Sequence, residues 1–193
     1  KDLLEAIRPL VMDGTIQGFP LIASSPEPPD GRASVFDDTS SSSKLRKLSA
    51  VQFPGRWYCR IGFYGHESVV SAQAELLREA IKDVPTAVLE LRRYRGDQPA
   101  EEFLPQDLCA AGLPNMAMLD LLHAHFGETM GHVDISLVVP FEGEAAAAHE
   151  AMVQQALAEA DLVGAFAWLA NPRSLVGVCM ILFDTTDEEE KRR

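Results

Sequence analysis

A histidine beside an apolar run is the residue of this chain best placed for chemistry. The segment 127–143 reads GETMGHVDISLVVPFEG, so His132 follows Gly127 and Gly131 and precedes the apolar run 135–139. Short apolar runs bounded by glycine and proline indicate strands, and glycine lets the backbone approach a ligand closely. We therefore predict that His132 stands at the entrance of a buried strand. The plainer alternative is a strand-edge histidine that is hydrogen-bonded to a neighbour.

Two further histidines raise the question of a metal site. His123 and His125 form with His132 the pattern H-x-H-x(6)-H, and imidazole is a common zinc ligand. However, no carboxylate stands at a convincing spacing, and apolar residues surround the first two histidines. The chain also has no CxxC motif. We therefore expect no metal site.

The elements that must position His132 follow from periodicity. Apolar residues recur at helical spacing or alternate at strand spacing along most of the chain. Helices are predicted at 2–11, 67–82 and 144–160, with shorter ones at 44–51 and 116–122 and a helix start at 184–187. Strands are predicted at 56–64, 87–94, 132–141, 162–169 and 175–183, with an extended segment at 15–23. These elements form two strand-helix-strand units and predict an α+β fold of the ferredoxin-like kind, a mostly antiparallel sheet with helices packed on it.

Bulk composition narrows the function classes. The chain has 193 residues, 47% of them hydrophobic, and a net charge of −12, which fits one globular domain and argues against binding to nucleic acid or an anionic membrane. No apolar run is long enough to span a bilayer, and we expect no export leader. Cys59, Cys109 and Cys179 are expected to be free thiols, with the first and third buried, in a reducing, cytoplasmic setting.

Four segments, in order, resemble one protein family. They read IRPLVMDGTIQGFPLI at 7–22, RWYCRIGFYG at 56–65, GHVDISLVVPFEGEAA at 131–146 and NPRSLVGVCMILFDTTDEEEKRR at 171–193. Together they resemble the cap (substrate) domain of the vanillyl-alcohol oxidase family of FAD-linked oxidases, which includes 4-cresol dehydrogenase and eugenol oxidase. The resemblance implies that 1–193 is a single substrate-binding cap domain within a larger two-domain flavoprotein.

The resemblance also implies site residues and partners. His132 matches the position of the histidine that often binds the flavin covalently in this family, so FAD is the expected cofactor. The implied partners are a small phenolic substrate, the FAD-binding domain of the same polypeptide, and a second copy or an electron-transfer protein. The residues implied to line the substrate pocket are Asp134, Leu162, Phe166, Trp168 and Val178.

This sequence departs from the family pattern at several points. Ser136-Leu137 stands where the family has Ser-Pro, and Asp134 replaces an expected aromatic residue. The family's phenolate-binding Tyr-Arg pair and its flavin domain have no counterpart within 1–193. We therefore expect the isolated chain to be inactive. The alternative function is a non-catalytic ferredoxin-like module that binds a small ligand or a partner subunit.

Overall fold

The computed structural model describes residues 1–24, 57–85, 87–104, 107–116, 123 and 127–192. The predicted helix at 44–51, and all but the first residue of the one at 116–122, lie outside these residues. The α-helices whose bounds fall within these residues are α1 (Asp2–Met12), α2 (Glu67–Ile81) and α3 (Gly143–Glu159), and short 3₁₀ turns occur at Ala100–Glu102 and Glu190–Arg192. The strands are β1 (Leu21–Ser24), β2 (Trp57–Arg60), β3 (Met130–Pro140), β4 (Val163–Asn171) and β5 (Ser174–Asp184).

The five strands form one sheet in the order β2-β1-β4-β5-β3, and every neighbouring pair is antiparallel. β4 and β5 are joined by the two residues Pro172 and Arg173. β3 pairs with β5 along its whole length, from Met130 opposite Asp184 to Pro140 opposite Ser174. The predicted α+β class, an antiparallel sheet with helices packed on it, is confirmed.

All three helices pack on one face of the sheet. Their apolar stripes cover a core whose largest fully buried side chain is Trp168 of β4. Trp168 lies beside Gly177 of β5, where a Cβ atom would come within 2.9 Å of the indole ring. Glycine therefore leaves the space that the indole occupies. The other buried members of this core include Leu4, Ile7, Val11, Leu77, Phe166, Leu175 and Cys179.

Helix α1 links α2 to α3 and is bonded to the start of α3. The Glu5 carboxylate accepts a hydrogen bond of 2.7 Å from the backbone N–H of Gly143. Arg8 donates a hydrogen bond of 3.0 Å to the carbonyl oxygen of Phe141. The first N–H groups of a helix have no hydrogen-bond partner within the helix. Helix α1 therefore supplies an acceptor for one of the first N–H groups of α3.

The strand predicted at 87–94 is absent, since these residues have neither helix nor strand. Their alternating charges are used elsewhere: Arg92 pairs with Glu90 and Asp107, and Val88 is 91% exposed. The first strand-helix-strand unit is instead completed by β3, at the opposite edge of the sheet from β2. Two other strands are shorter than the predicted segments. In the extended segment predicted at 15–23, strand β1 begins only at Leu21. The strand predicted at 56–64 ends at Arg60, and its first residue lies outside the described part.

The prediction that His132 enters a buried strand is wrong about burial. Among the described strands β3 lies at the edge of the sheet, and Val133, Ile135, Leu137 and Val138 are 55%, 44%, 43% and 67% exposed. An apolar run has the same appearance in a central strand and in an unprotected edge strand, because periodicity does not report strand order.

The predicted helix start at 184–187 is also corrected. β5 continues to Asp184, and the Asp187 side chain accepts hydrogen bonds from the N–H groups of Glu189 and Glu190. Only the short turn Glu190–Arg192 follows. Among the described residues, no helix combines the length and the apolar character needed to cross a bilayer.

Candidate functional site

His132 lies on the face of the sheet opposite the helices. Residues paired across an antiparallel ladder share a face, and His132 is paired with Leu182, whereas its neighbour Val133 is paired with Ile181 of the helix-covered core. We call the face that bears His132 the open face. Its other members are Met130, Asp134, Ser136 and Val138 of β3, Val176, Val178, Met180 and Leu182 of β5, and Val163, Ala165 and Ala167 of β4.

His132 and Asp134 form a pair on this face. Successive residues of a strand alternate between faces, so the two side chains project from the same side. The His132 Nε2 atom lies 3.9 Å from Asp134 Oδ2, with 29% of the histidine side chain and 51% of the aspartate side chain exposed. This separation is too long for a hydrogen bond and close enough for an ion pair when the imidazole is protonated. The pair is therefore a polar, solvent-accessible group.

The surface beside this pair is apolar. Met130 and Leu182 are buried, and Val163, Ala165 and Met180 pack against them. Val178 is half-buried and lies opposite Ser136, two residues along β3 from Asp134. The open face thus offers one imidazole and one carboxylate at the margin of an apolar floor, which suits a flat, largely apolar ligand with a polar group at one side.

The structure does not bring all the predicted site residues together. His132, Asp134 and Val178 share the open face, but Phe166 and Trp168 are only 4% and 1% exposed and lie in the helix-covered core. Leu162, just before β4, packs against that same core. The ring of His149 on α3 stands over the two aromatic side chains, at centroid distances of 6.0 Å from Phe166 and 5.6 Å from Trp168. A ligand on the open face would not touch either ring.

The residues that form the floor were missed by the sequence reasoning. Val163 and Met180, which are half-buried, were not proposed as site residues, and neither were Met130 and Leu182, which are 4% and 1% exposed and only support them from beneath. Finding them required knowing which residue of β5 faces His132, and the sequence does not give the register.

Two of the three cysteines have a raised thiol pKa, and in one of them the charge of Asp134 contributes to the shift. Cys59 packs against the core, and burial raises its thiol pKa to about 12. Cys179 is buried, and burial followed by the negative charge of Asp134 raises its pKa. Cys109 is exposed. All three are free thiols, as expected, although Cys59 is only partly buried.

A second polar cluster is centred on Asp107, close enough to the end of β2 to feel the charge of Arg60. Arg92 donates two hydrogen bonds to Asp107, of 2.6 and 3.0 Å, and Tyr94 Oη donates a third of 2.8 Å. Burial opposes ionisation of Asp107, but the bonds from Arg92 and Tyr94 outweigh it, so the pKa of this carboxyl lies below its usual range. Tyr94 also stacks on Phe103 at 4.2 Å between ring centroids. The polar groups of this cluster are hydrogen-bonded to one another. We therefore interpret the cluster as structural, linking the segment 92–94 to Asp107.

The histidine pattern can be followed only in part. His123 and His132 lie in the described part of the chain, and His125 does not. Among the described residues, no three His, Cys, Asp or Glu side chains come close enough to hold a metal ion.

Comparison with known proteins adds evidence about the fold. No protein-family model and no curated protein matches the sequence. Among solved structures, the chain is similar to a p-cresol methylhydroxylase with substrate bound, with a TM-score of 0.71 and 22% identity over 99% of this chain. It is also similar to a 4-ethylphenol oxidase from Gulosibacter chungangensis in complex with isoeugenol, with a TM-score of 0.68 and 20% identity over 98% of this chain. The chain spans 38% of the length of each of these proteins. It therefore has the fold of a part of these two enzymes.

Proposed function

We propose that this chain is the substrate-binding cap domain of a larger FAD-dependent oxidoreductase that oxidises para-substituted phenols. The reaction is hydride transfer from the benzylic carbon of the phenol to the flavin. The observation that supports this most strongly is the fold match over 99% and 98% of the chain to two enzymes whose names both denote a para-substituted phenol. The four sequence segments that resemble the same family lie in the same order along the chain.

The open face is where such a domain would meet flavin and substrate. A half-exposed imidazole with one nitrogen near a carboxylate has the donor chemistry that a covalent flavin link needs. His132 would hold the FAD through one of its ring nitrogens. FAD, when bound, supplies the hydride acceptor.

Asp134 has a defined task in this arrangement. If one nitrogen of His132 holds the flavin, the proton on its other nitrogen would need an acceptor. The Asp134 carboxylate lies 3.9 Å from His132 Nε2, so we propose it as the acceptor of that proton. An acidic residue beside the histidine is therefore compatible with the link, even though the family has an aromatic residue there.

The apolar floor beside the pair supplies the surface on which the aromatic ring of a phenol would bind. Met180 and Val178 present half-buried apolar surface next to Asp134, and such surface favours an aromatic ring by excluding water from it. We propose His132, Asp134 and Val178 as site residues on this face. Leu162, Phe166 and Trp168 support the sheet from the other side.

A direct test uses the natural polypeptide that contains this chain. After acid precipitation and gel electrophoresis, we expect flavin fluorescence to remain with the protein, and His132→Ala to abolish it. His66→Ala is the matched control, because His66 is an exposed histidine that only caps α2, and it should retain the fluorescence. Fluorescence that persists in His132→Ala would contradict the covalent link. A polypeptide that binds no flavin would contradict the enzyme proposal and favour the non-catalytic module.

A further inference from the structure

The turn at residues 185–192 packs against the end of β5 and buries one carboxylate there. Glu190 is only 5% exposed, whereas the side chain of Glu188 in the same turn is 70% exposed. The Glu190 Oε2 atom accepts a hydrogen bond of 2.8 Å from the backbone N–H of Asp184, which is itself fully buried. A glutamate is rarely buried unless it is paired with a specific donor. Glu190 therefore has a defined structural role.

That role follows from the unequal lengths of two strands. β4 pairs with β5 only as far as Leu182, so β5 extends two residues beyond that ladder, to Asp184. The N–H of Thr185 points towards β3, because it donates to the carbonyl oxygen of Thr129. Successive N–H groups point to opposite sides of a strand, so the N–H of Asp184 points to the side where β4 has ended. Glu190 supplies the acceptor that β4 does not provide there.

The same turn is tied to the start of β3. The backbone N–H and the Oγ1 hydroxyl of Thr185 both donate to the carbonyl oxygen of Thr129, at 2.8 and 2.7 Å. The methyl group of Thr185 lies over Gly131, where a Cβ atom would come within 2.7 Å of it. Gly131 directly precedes His132. The turn therefore fixes the backbone that leads into this histidine.

We propose that Glu190 and Thr185 are positioning residues for His132. Glu190 fixes the end of β5, and Thr185 fastens that end to the entrance of β3, so that His132 keeps its place on the open face. A side chain that holds a cofactor must be kept within about 0.5 Å of its working position, and a strand at the edge of the described sheet needs such support. This inference rests on the proposed function, in which His132 holds the flavin.

Hydrogen exchange of the natural polypeptide, prepared in its flavin-free form, tests whether the turn holds β3. Glu190→Leu removes the buried acceptor, and we expect amide exchange at residues 130–134 to become about tenfold faster or more. Thr185→Val removes only a hydroxyl donor and should speed this exchange about threefold. Glu190→Gln keeps an acceptor oxygen and should exchange like the wild type. Unchanged exchange at 130–134 in Glu190→Leu would overturn the proposal.

Glu188→Leu is the matched control, because it is the same substitution in the same turn, at an exposed carboxylate bonded to Lys191. It should leave exchange at 130–134 as in the wild type. Exchange across α2 should not change in any variant, since the effect is confined to the end of the sheet. A rise across α2 as large as that at 130–134 would indicate general destabilisation and overturn the proposal.

Flavin retention tests whether this support positions His132. FAD is added to each variant, bound flavin is measured by absorbance, and the flavin that stays with the protein after acid precipitation is measured by fluorescence. We expect Glu190→Leu to bind flavin but to retain about tenfold less of it, and Glu190→Gln and Glu188→Leu to retain as much as the wild type. Faster exchange with wild-type retention would overturn the positioning role alone. A wild type that binds or retains no flavin would overturn the proposed role of His132 as well.

Discussion

At the scale of single residues, Trp168 and Val178 lie in neighbouring strands and point in opposite directions. Trp168 is opposite Gly177 and faces the helices, while Val178 is opposite Ala167 and faces away from them. Successive residues of a strand face opposite sides of the sheet, so Val178 lies on the other face from Gly177 and its partner Trp168. A change at Trp168 should act on stability, and a change at Val178 should act on a ligand at the open face.

Trp168→Ala should lower the free energy of unfolding by about 3–5 kcal/mol, because it leaves a cavity in a core that does not collapse freely. Val178→Ala should lower the free energy of unfolding by only about 1 kcal/mol, because the methyl groups that it removes are only partly buried. Urea unfolding followed by circular dichroism measures both values. A cost for Trp168→Ala no larger than that for Val178→Ala would mean that the indole is not a core residue.

Asp107 should make stability depend on pH. Its pKa is lowered below 3.8 when folded, so the unfolded state binds the proton more readily, and the stabilisation is fully present above about pH 4 and is lost as the pH falls through the lower folded value. Asp107→Asn should therefore destabilise the chain at about pH 6 and much less at about pH 2.5. Urea midpoints at the two values test this, and an equal difference at both would contradict it.

At the scale of elements, α1 acts as a brace between α2 and α3. It contacts both helices and supplies the Glu5 carboxylate to the N–H of Gly143 at the start of α3. The same corner is held by Arg8 on Phe141 and by the ion pair between Lys1 and Glu144. Gly143 has no room for a side chain, because a Cβ there would lie 2.9 Å from the backbone oxygen of Lys1.

Glu5→Ala should therefore destabilise the chain by about 1 kcal/mol, the usual cost of losing a helix cap. Glu79→Ala is the matched control: Glu79 also carries an ion pair on a helix, with Lys82, but its side chain is 69% exposed, and such pairs contribute about 0.5 kcal/mol or less. Thermal or urea unfolding of the two variants gives the comparison. A smaller cost for Glu5→Ala than for Glu79→Ala would show that the contact between α1 and α3 is not a significant cap.

Element prediction from the sequence succeeded where a single face is buried. The helices predicted at 2–11, 67–82 and 144–160 are α1, α2 and α3 to within one or two residues at each end, because each has an apolar stripe at helical spacing. The segment 87–94 alternates as a strand does, yet it does not join the sheet: its Arg92 pairs with Glu90 and Asp107, and its Arg93 pairs with Glu67. Local alternation cannot tell a strand from an irregular segment whose polar side chains find partners.

At the scale of the whole molecule, strand order decides what the site is. The sequence located His132 near the start of a strand, and β3 indeed begins two residues before it. It could not show that β3 is the outermost of the described strands, nor that Phe166 and Trp168 lie on the other face, because both facts depend on pairing between residues distant in sequence. The fold class could thus be predicted from local patterns, and the composition of the open face could not.

The central proposal is that this chain is the cap domain of a flavoprotein that oxidises para-substituted phenols. Anaerobic spectroscopy tests it most directly. The natural polypeptide that contains the chain is mixed with a para-alkylphenol without oxygen, and flavin absorbance near 450 nm is followed. We predict that the band bleaches, and that a charged residue on the floor, as in Val178→Asp, slows bleaching while leaving flavin bound. A bound flavin that no para-substituted phenol reduces, or a polypeptide without flavin, would contradict the account.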